Sequence, residues 1–206
     1  MITRSSKHYI VDMNQGKHRS LDNMHHVLKD ATSIYIKDIL SGALPLKTMM
    51  SSKLLPSVNS IDGGQYKQLI YKTASEIVRS NLDHVKVRTF KRYKKVYRYF
   101  KDRNRQSGFI SKKYKELTIN YLKRIKIDLK NFSINLDERF VDVQSGNHFD
   151  NFVRIKTLFM NETYKNRRIF VNVPLKNHKH SNKFNDWTRK KTVRLSKDNK
   201  NRLYMS

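Results

Sequence analysis

The chain has 206 residues, with 44 Lys and Arg against 17 Asp and Glu and a formal net charge of +27. That length suits one domain or two small ones, and that charge repels itself unless a polyanion is near. The absence of cysteine excludes disulfides, thiolate zinc sites and cysteine nucleophiles, and fits a reducing intracellular compartment. No stretch nears the roughly 18 apolar residues of a bilayer span, and no N-terminal apolar segment marks a secretory signal, so no membrane association is expected.

Residues Lys7 to Val11 read as a short strand, followed by a turn over Asn14 to Gly16. From Leu21 to Leu40, apolar residues recur at Leu21, Met24, Val27, Leu28, Ala31, Ile34, Tyr35 and Ile39. The spacing is helical, with Ser20 as the expected N-cap. His25 and His26 fall within this helix and are expected on its surface. Ser41, Gly42 and Pro45 end it. Residues 41–64 hold two of the three prolines and three of the six glycines, and read as an irregular excursion.

A second helix is expected from Gln65 to Leu82 and a third from about Val85 to Arg103. In the third, Phe90, Tyr93, Tyr97 and Phe100 form an apolar stripe, while Lys91, Arg92, Lys94, Lys95 and Arg98 cover much of the remaining arc. A fourth is expected from Lys112 to Lys130. Beyond Asn131 the period changes to two, at Ile134 and Leu136, Phe140 to Val143, Phe149 to Ile155 and Ile169 to Leu175. Thr192 to Ser196 and Arg202 to Met205 then read as a hairpin across the polar turn 197–201. The N-terminal strand is expected to join this C-terminal sheet, because a lone strand leaves its backbone groups unpaired. The fold class is therefore α+β: a β domain over 1–15 and 131–206, interrupted by a helical insertion over 16–130.

Residues 86–105 hold ten Lys or Arg and one acid. Like charges along a helix cost a few tenths of a kcal/mol per pair. Phosphates are the expected compensating partner. The segment from Val171 to Trp187 starts as an alternating strand and then carries Lys176, His178, Lys179, His180, Asn182 and Lys183 before the only Trp. Its lysines would oppose a dication, so hydrogen bonding to RNA or DNA backbone is expected there and a metal site is not. The acids Asp137, Glu138, Asp142 and Asp150 are the one local concentration of carboxylates, and are expected to face solvent or pair with Arg and Lys. There is no glycine-rich phosphate loop and no nucleophile motif, so no catalytic site is expected in this chain.

Three segments, Asp142 to Ile155, Val173 to Phe184 and Trp187 to Leu195, resemble in content and order the wedge domain of TnpB-type proteins. These are transposon-associated relatives of type V CRISPR effectors. The likeness covers residues 131–206; Leu55 to Ser57 and the Gln65 to Ser80 helix resemble the family's recognition domain more loosely. The resemblance implies a wedge-like β-barrel interrupted by a helical recognition insertion, with guide RNA and target DNA as partners. Carried over residue by residue, Lys176, His178, Lys179, His180, Asn182, Lys183, Trp187, Arg189, Lys190 and Lys191 would contact RNA; the basic face of the third helix, with Lys91, Arg92, Lys94, Lys95 and Arg98, is expected from its charge to do so as well. Gln65, Lys67, Gln68 and Lys72 would approach the DNA motif beside the target.

The family continues into a RuvC-like nuclease with metal-binding carboxylates, whereas this sequence stops at Ser206 without them. Either the nuclease half, with its Mg2+, is a separate second chain, or this chain is a fragment, or it binds without cutting. The expected function is the guide-RNA- and target-DNA-binding half of a TnpB-like endonuclease, split or fragmentary, in the cytoplasm of a bacterial or phage-infected cell. One alternative is a stand-alone basic DNA- or RNA-binding protein without a guide. Another is a small nuclease using the Asp137 to Asp150 acids or His178 and His180.

Overall fold

A computed structural model describes residues 8–10, 13–58, 61, 63–82, 120, 123–144, 151–160, 168–175 and 192–206. Over these residues the chain is α+β: two long helices and two antiparallel sheets share one hydrophobic cluster.

Strand β1 (His8–Tyr9) leads to helix α1 (Gln15–Ser41). The helix starts before the predicted cap. Asn14 Oδ1 accepts from the Gly16 N–H at 2.8 Å, so the predicted turn is itself the N-cap. Ser20 instead lies inside the helix and donates its hydroxyl to Gly16 O at 3.1 Å. Leu21, Met24, Leu28, Ala31, Tyr35 and Ile39 are buried, as their spacing requires. His25 is buried with them, at 3% exposure, contrary to its expected surface position. It sits four residues after Leu21 and three before Leu28, within the apolar stripe.

Helix α1 ends at Gly42, whose φ of 86° is left-handed and whose N–H bonds Ile39 O. A Cβ at this position would meet nothing within 4 Å. Gly42→Ala is therefore expected to cost only its backbone strain, about 1 kcal/mol, readable as a small drop in melting temperature.

Among its described residues, the excursion that follows holds a 3-10 turn (Ser52–Leu54) and an isolated bridge between Val58 and Ile61. It is nevertheless packed: Leu44, Leu55, Val58 and Ile61 are buried. Tyr35 donates its hydroxyl to Pro56 O at 2.6 Å, and Tyr71 donates to Pro45 O. Helix α2 spans 64–82 and buries Tyr66, Leu69, Ile70, Tyr71, Ala74, Val78 and Leu82.

The third predicted helix lies outside the described residues, as does most of the fourth. Where the fourth is described, it is helical at Asn120, as predicted, but over 123–130 the chain is a turn and then non-helical. Ile125, Ile127 and Leu129 are half-buried and alternate with exposed Lys126, Asp128 and Lys130. That alternation belongs to extended backbone, so the helical assignment to Lys130 is wrong here. Asp128 Oδ1 accepts from the Lys130 N–H at 2.9 Å, an aspartate turn that competes with helix.

Among the described residues six further strands follow: β2 (Ser133–Leu136), β3 (Val141–Gln144), β4 (Asn151–Met160), β5 (Arg168–Leu175), β6 (Val193–Lys197) and β7 (Leu203–Met205). They form one sheet of order β1-β7-β6-β2 and another of order β3-β4-β5. All pairings are antiparallel. Strand β1 thus joins the C-terminal strands as predicted, with His8 opposite Met205 and Tyr9 opposite Tyr204. The described strands make two sheets and no closed barrel. The β6–β7 turn places Asn201 at φ 61°, and Asp198 Oδ1 accepts from the Lys200 and Arg202 N–H groups at 2.9 Å each.

Candidate nucleic-acid interface

Period-two alternation sorts the β3-β4-β5 side chains onto two faces. Val141, Val153, Ile155, Thr157, Val171 and Val173 are buried on the inner one. Asp142, Gln144, Arg154 and Asn172 are exposed on the outer one. Register sets Asp142 beside Arg154 and Arg154 beside Asn172, with Lys156 beside Phe170 one step along. The Arg154 guanidinium carbon lies 4.2 Å from the Phe170 ring centroid. At the far end of the β4–β5 hairpin, Met160, Ile169 and Phe170 stay exposed.

The start of α2 abuts the edge of this sheet. Tyr66 is buried, packs on Phe140 with ring centroids 4.6 Å apart, and donates its hydroxyl to Lys156 O. Burial pushes that hydroxyl's pKa up from its usual value. Arg168 sits over the Tyr66 ring at 5.2 Å and donates to Leu158 O at 2.6 Å. A Cβ at Gly63 would lie 2.3 Å from an Arg168 guanidinium nitrogen, so a side chain there would displace the flexible end of Arg168.

Around the helix, Arg139 grips Asp137 with two side-chain bonds, Nε to Oδ1 at 2.9 Å and Nη2 to Oδ2 at 2.7 Å. These bonds hold the Asp137 carboxyl below the usual carboxylate range, and Lys72 adds to the effect. Asp142 accepts from Gln144 Nε2 at 2.9 Å. Among the described residues, no group of three or more His, Asp or Glu could hold a metal ion.

Of the residues assigned to DNA, all four lie on α2. Gln65 is exposed and accepts from Lys156 Nζ at 3.4 Å. Lys67 Nζ donates to Leu55 O at 3.2 Å, and Gln68 Nε2 to Met50 O at 3.4 Å. Gln68 Oε1 also accepts from Arg139 at 3.4 Å. Lys72 is half-buried near Asp137. Bonds at 3.4 Å are at the weak end of hydrogen-bond geometry.

The residues assigned to RNA lie outside the described residues: Lys91, Arg92, Lys94, Lys95 and Arg98, and likewise Lys176, His178, Lys179, His180, Asn182, Lys183, Trp187, Arg189, Lys190 and Lys191. Asp150 lies outside them too. Sequence reasoning passed over Arg139, Arg154, Lys156, Arg168 and Phe170, which gather beside α2 and on the outer sheet face. The signal was the parity of β4, where Arg154 and Lys156 alternate with buried Val153, Ile155 and Thr157.

No family model matches the chain, and no curated protein matches it. Among the described residues, no helix is long and apolar enough to cross a membrane.

Proposed function

We propose that this chain binds nucleic acid through the phosphate backbone, as the guide-RNA- and target-DNA-binding half of a TnpB-like RNA-guided endonuclease. In this reading the two sheets belong to a wedge-like β-barrel, and cleavage belongs to a RuvC-like nuclease with its Mg2+. The observation that carries it is the net charge of +27, because a surplus of that size calls for a polyanion. The Arg154 guanidinium, exposed on the outer sheet face, adds a planar donor suited to phosphate oxygens. One observation favours the reading without a guide: Lys67 and Gln68 direct their polar ends to the protein's own backbone.

The test is to purify the chain from cells with its nucleic acid and sequence what comes with it. A discrete RNA species is expected. A heterogeneous mixture sinks the guided reading and leaves the stand-alone binder. Loss of all nucleic acid at low salt sinks both. Affinity for duplex DNA should fall with salt at a log–log slope of about −0.9 per phosphate contacted.

A further inference from the structure

We propose that the outer face of the β3-β4-β5 sheet is a stacking platform for an unpaired base of a single-stranded nucleic acid, with Phe170 as the platform and Arg154 as its cationic clamp. The proposal rests on the nucleic-acid reading above and narrows that partner, at this face, to unpaired bases. Phosphate contact alone would need only cations here. Instead Phe170 keeps 46% of its surface in water, and Arg154 lies 4.2 Å from its ring centroid. An aromatic ring beside a guanidinium is the pair that holds a flat, electron-rich base by stacking and cation–π attraction.

Asn172, two residues from Phe170 on β5 and opposite Arg154, is exposed on the same face, and its amide can pair with the edge of a base so held. Lys156, opposite Phe170 in register, lies within reach of the adjoining phosphate. A base inside a duplex is already stacked on both sides and offers no free face, so the occupant is an unpaired segment. The neighbouring Ile169 and Met160 could also serve an apolar protein partner. The charge of +27 favours the polyanion, and the experiment separates the two.

The experiment measures fluorescence anisotropy of the full chain with a short oligothymidylate and with an abasic strand of equal length and charge. Stacking predicts tighter binding of the base-bearing strand. Phe170→Ala should weaken that strand by about 5- to 150-fold, the loss of one stacked base. The same variant should leave abasic binding and the salt slope unchanged. Phe170→Trp should bind the base-bearing strand at least as tightly as wild type. Phe170 is exposed, so both variants should melt like the parent protein.

Equal affinity of wild type for the two strands overturns the platform and hands the face to an apolar protein partner. Wild-type affinity in Phe170→Ala overturns the platform while the broader nucleic-acid reading stands. Failure of wild type to bind either strand, or duplex DNA or structured RNA, overturns both.

Discussion

Tyr66→Ala is expected to cost about 3–5 kcal/mol of folding stability, the usual range for truncating a buried aromatic. Three contacts at this residue tie α2 to the β3-β4-β5 sheet. Its ring packs on Phe140, the Arg168 guanidinium lies over it, and its hydroxyl bonds Lys156 O. Removing the ring leaves a cavity between helix and sheet and a backbone carbonyl without its donor. Domain stabilities are about 5–15 kcal/mol, so the variant should be partly unfolded or shift its urea midpoint strongly. Tyr66→Phe isolates the hydroxyl and should cost about 1 kcal/mol. The measurement is urea denaturation followed by far-UV circular dichroism. A loss under 1 kcal/mol in Tyr66→Ala would show that α2 does not depend on this contact.

Stability should fall as pH drops from about 6.5 to about 4, and His25 should account for on the order of 3 kcal/mol of that fall. Burial lowers the His25 pKa to about 4, with Lys197 and His26 adding repulsion against the Phe132 carbonyl bond and Asp22. Its Nε2 lies 3.3 Å from Phe132 O, which makes Nε2 the protonated nitrogen of the neutral ring. Its Nδ1 is buried without a hydrogen-bond partner, so a second proton there would have no acceptor.

The folded protein therefore keeps His25 neutral through a window in which the unfolded chain takes up a proton. Within that window the unfolded state binds more protons, so stability rises with pH. The contribution is complete above about 6.5, is lost as pH falls, and changes no further below about 4. His25→Phe keeps an aromatic ring against Phe132, now 5.2 Å from the His25 ring, and removes the titration. Its stability should be flatter between pH 4 and 6.5 than that of wild type. Identical pH profiles for the two proteins would refute the assignment. The carboxylate of Asp137, held low by Arg139, acts in a separate and more acidic window. Its contribution is present above the usual carboxylate range and is lost below it.

His25 also shows where sequence reading reaches its limit. An amphipathic stripe tells which arc of a helix faces inward, but its edges depend on what packs there. Phe132, more than a hundred positions along the chain, covers His25, while His26 one residue on stays exposed. Lys197 joins the same corner, with its Nζ 2.6 Å from Asp22 Oδ1. No local window contains these neighbours.

The segment 123–130 fails for a different reason. Ile125, Ile127 and Leu129 fit both a helix face and an alternating extended chain, and the local turn at Asp128 favours the second. The candidate site divides in the same manner. Gln65, Lys67, Gln68 and Lys72 could be named as one helix face from their spacing alone. That Lys156 and Arg139 meet them depends on β3 and β4 passing beside α2.

By itself the sequence determined the α+β class, the helices from Leu21 and Gln65, the strand periods after Asn131 and the β6–β7 hairpin. All of these rest on interactions between residues a few positions apart. The cap at Asn14 was present as a turn signal and needed only the correct role. The tertiary structure decided the partition into two sheets, the burial of His25, the burial of Leu44, Leu55, Val58 and Ile61 and the meeting of Arg154 with Phe170. Each of those is a contact across long sequence separation. Such contacts form when they bury enough apolar surface to offset the entropy of closing a long loop, and no short stretch of residues encodes that balance.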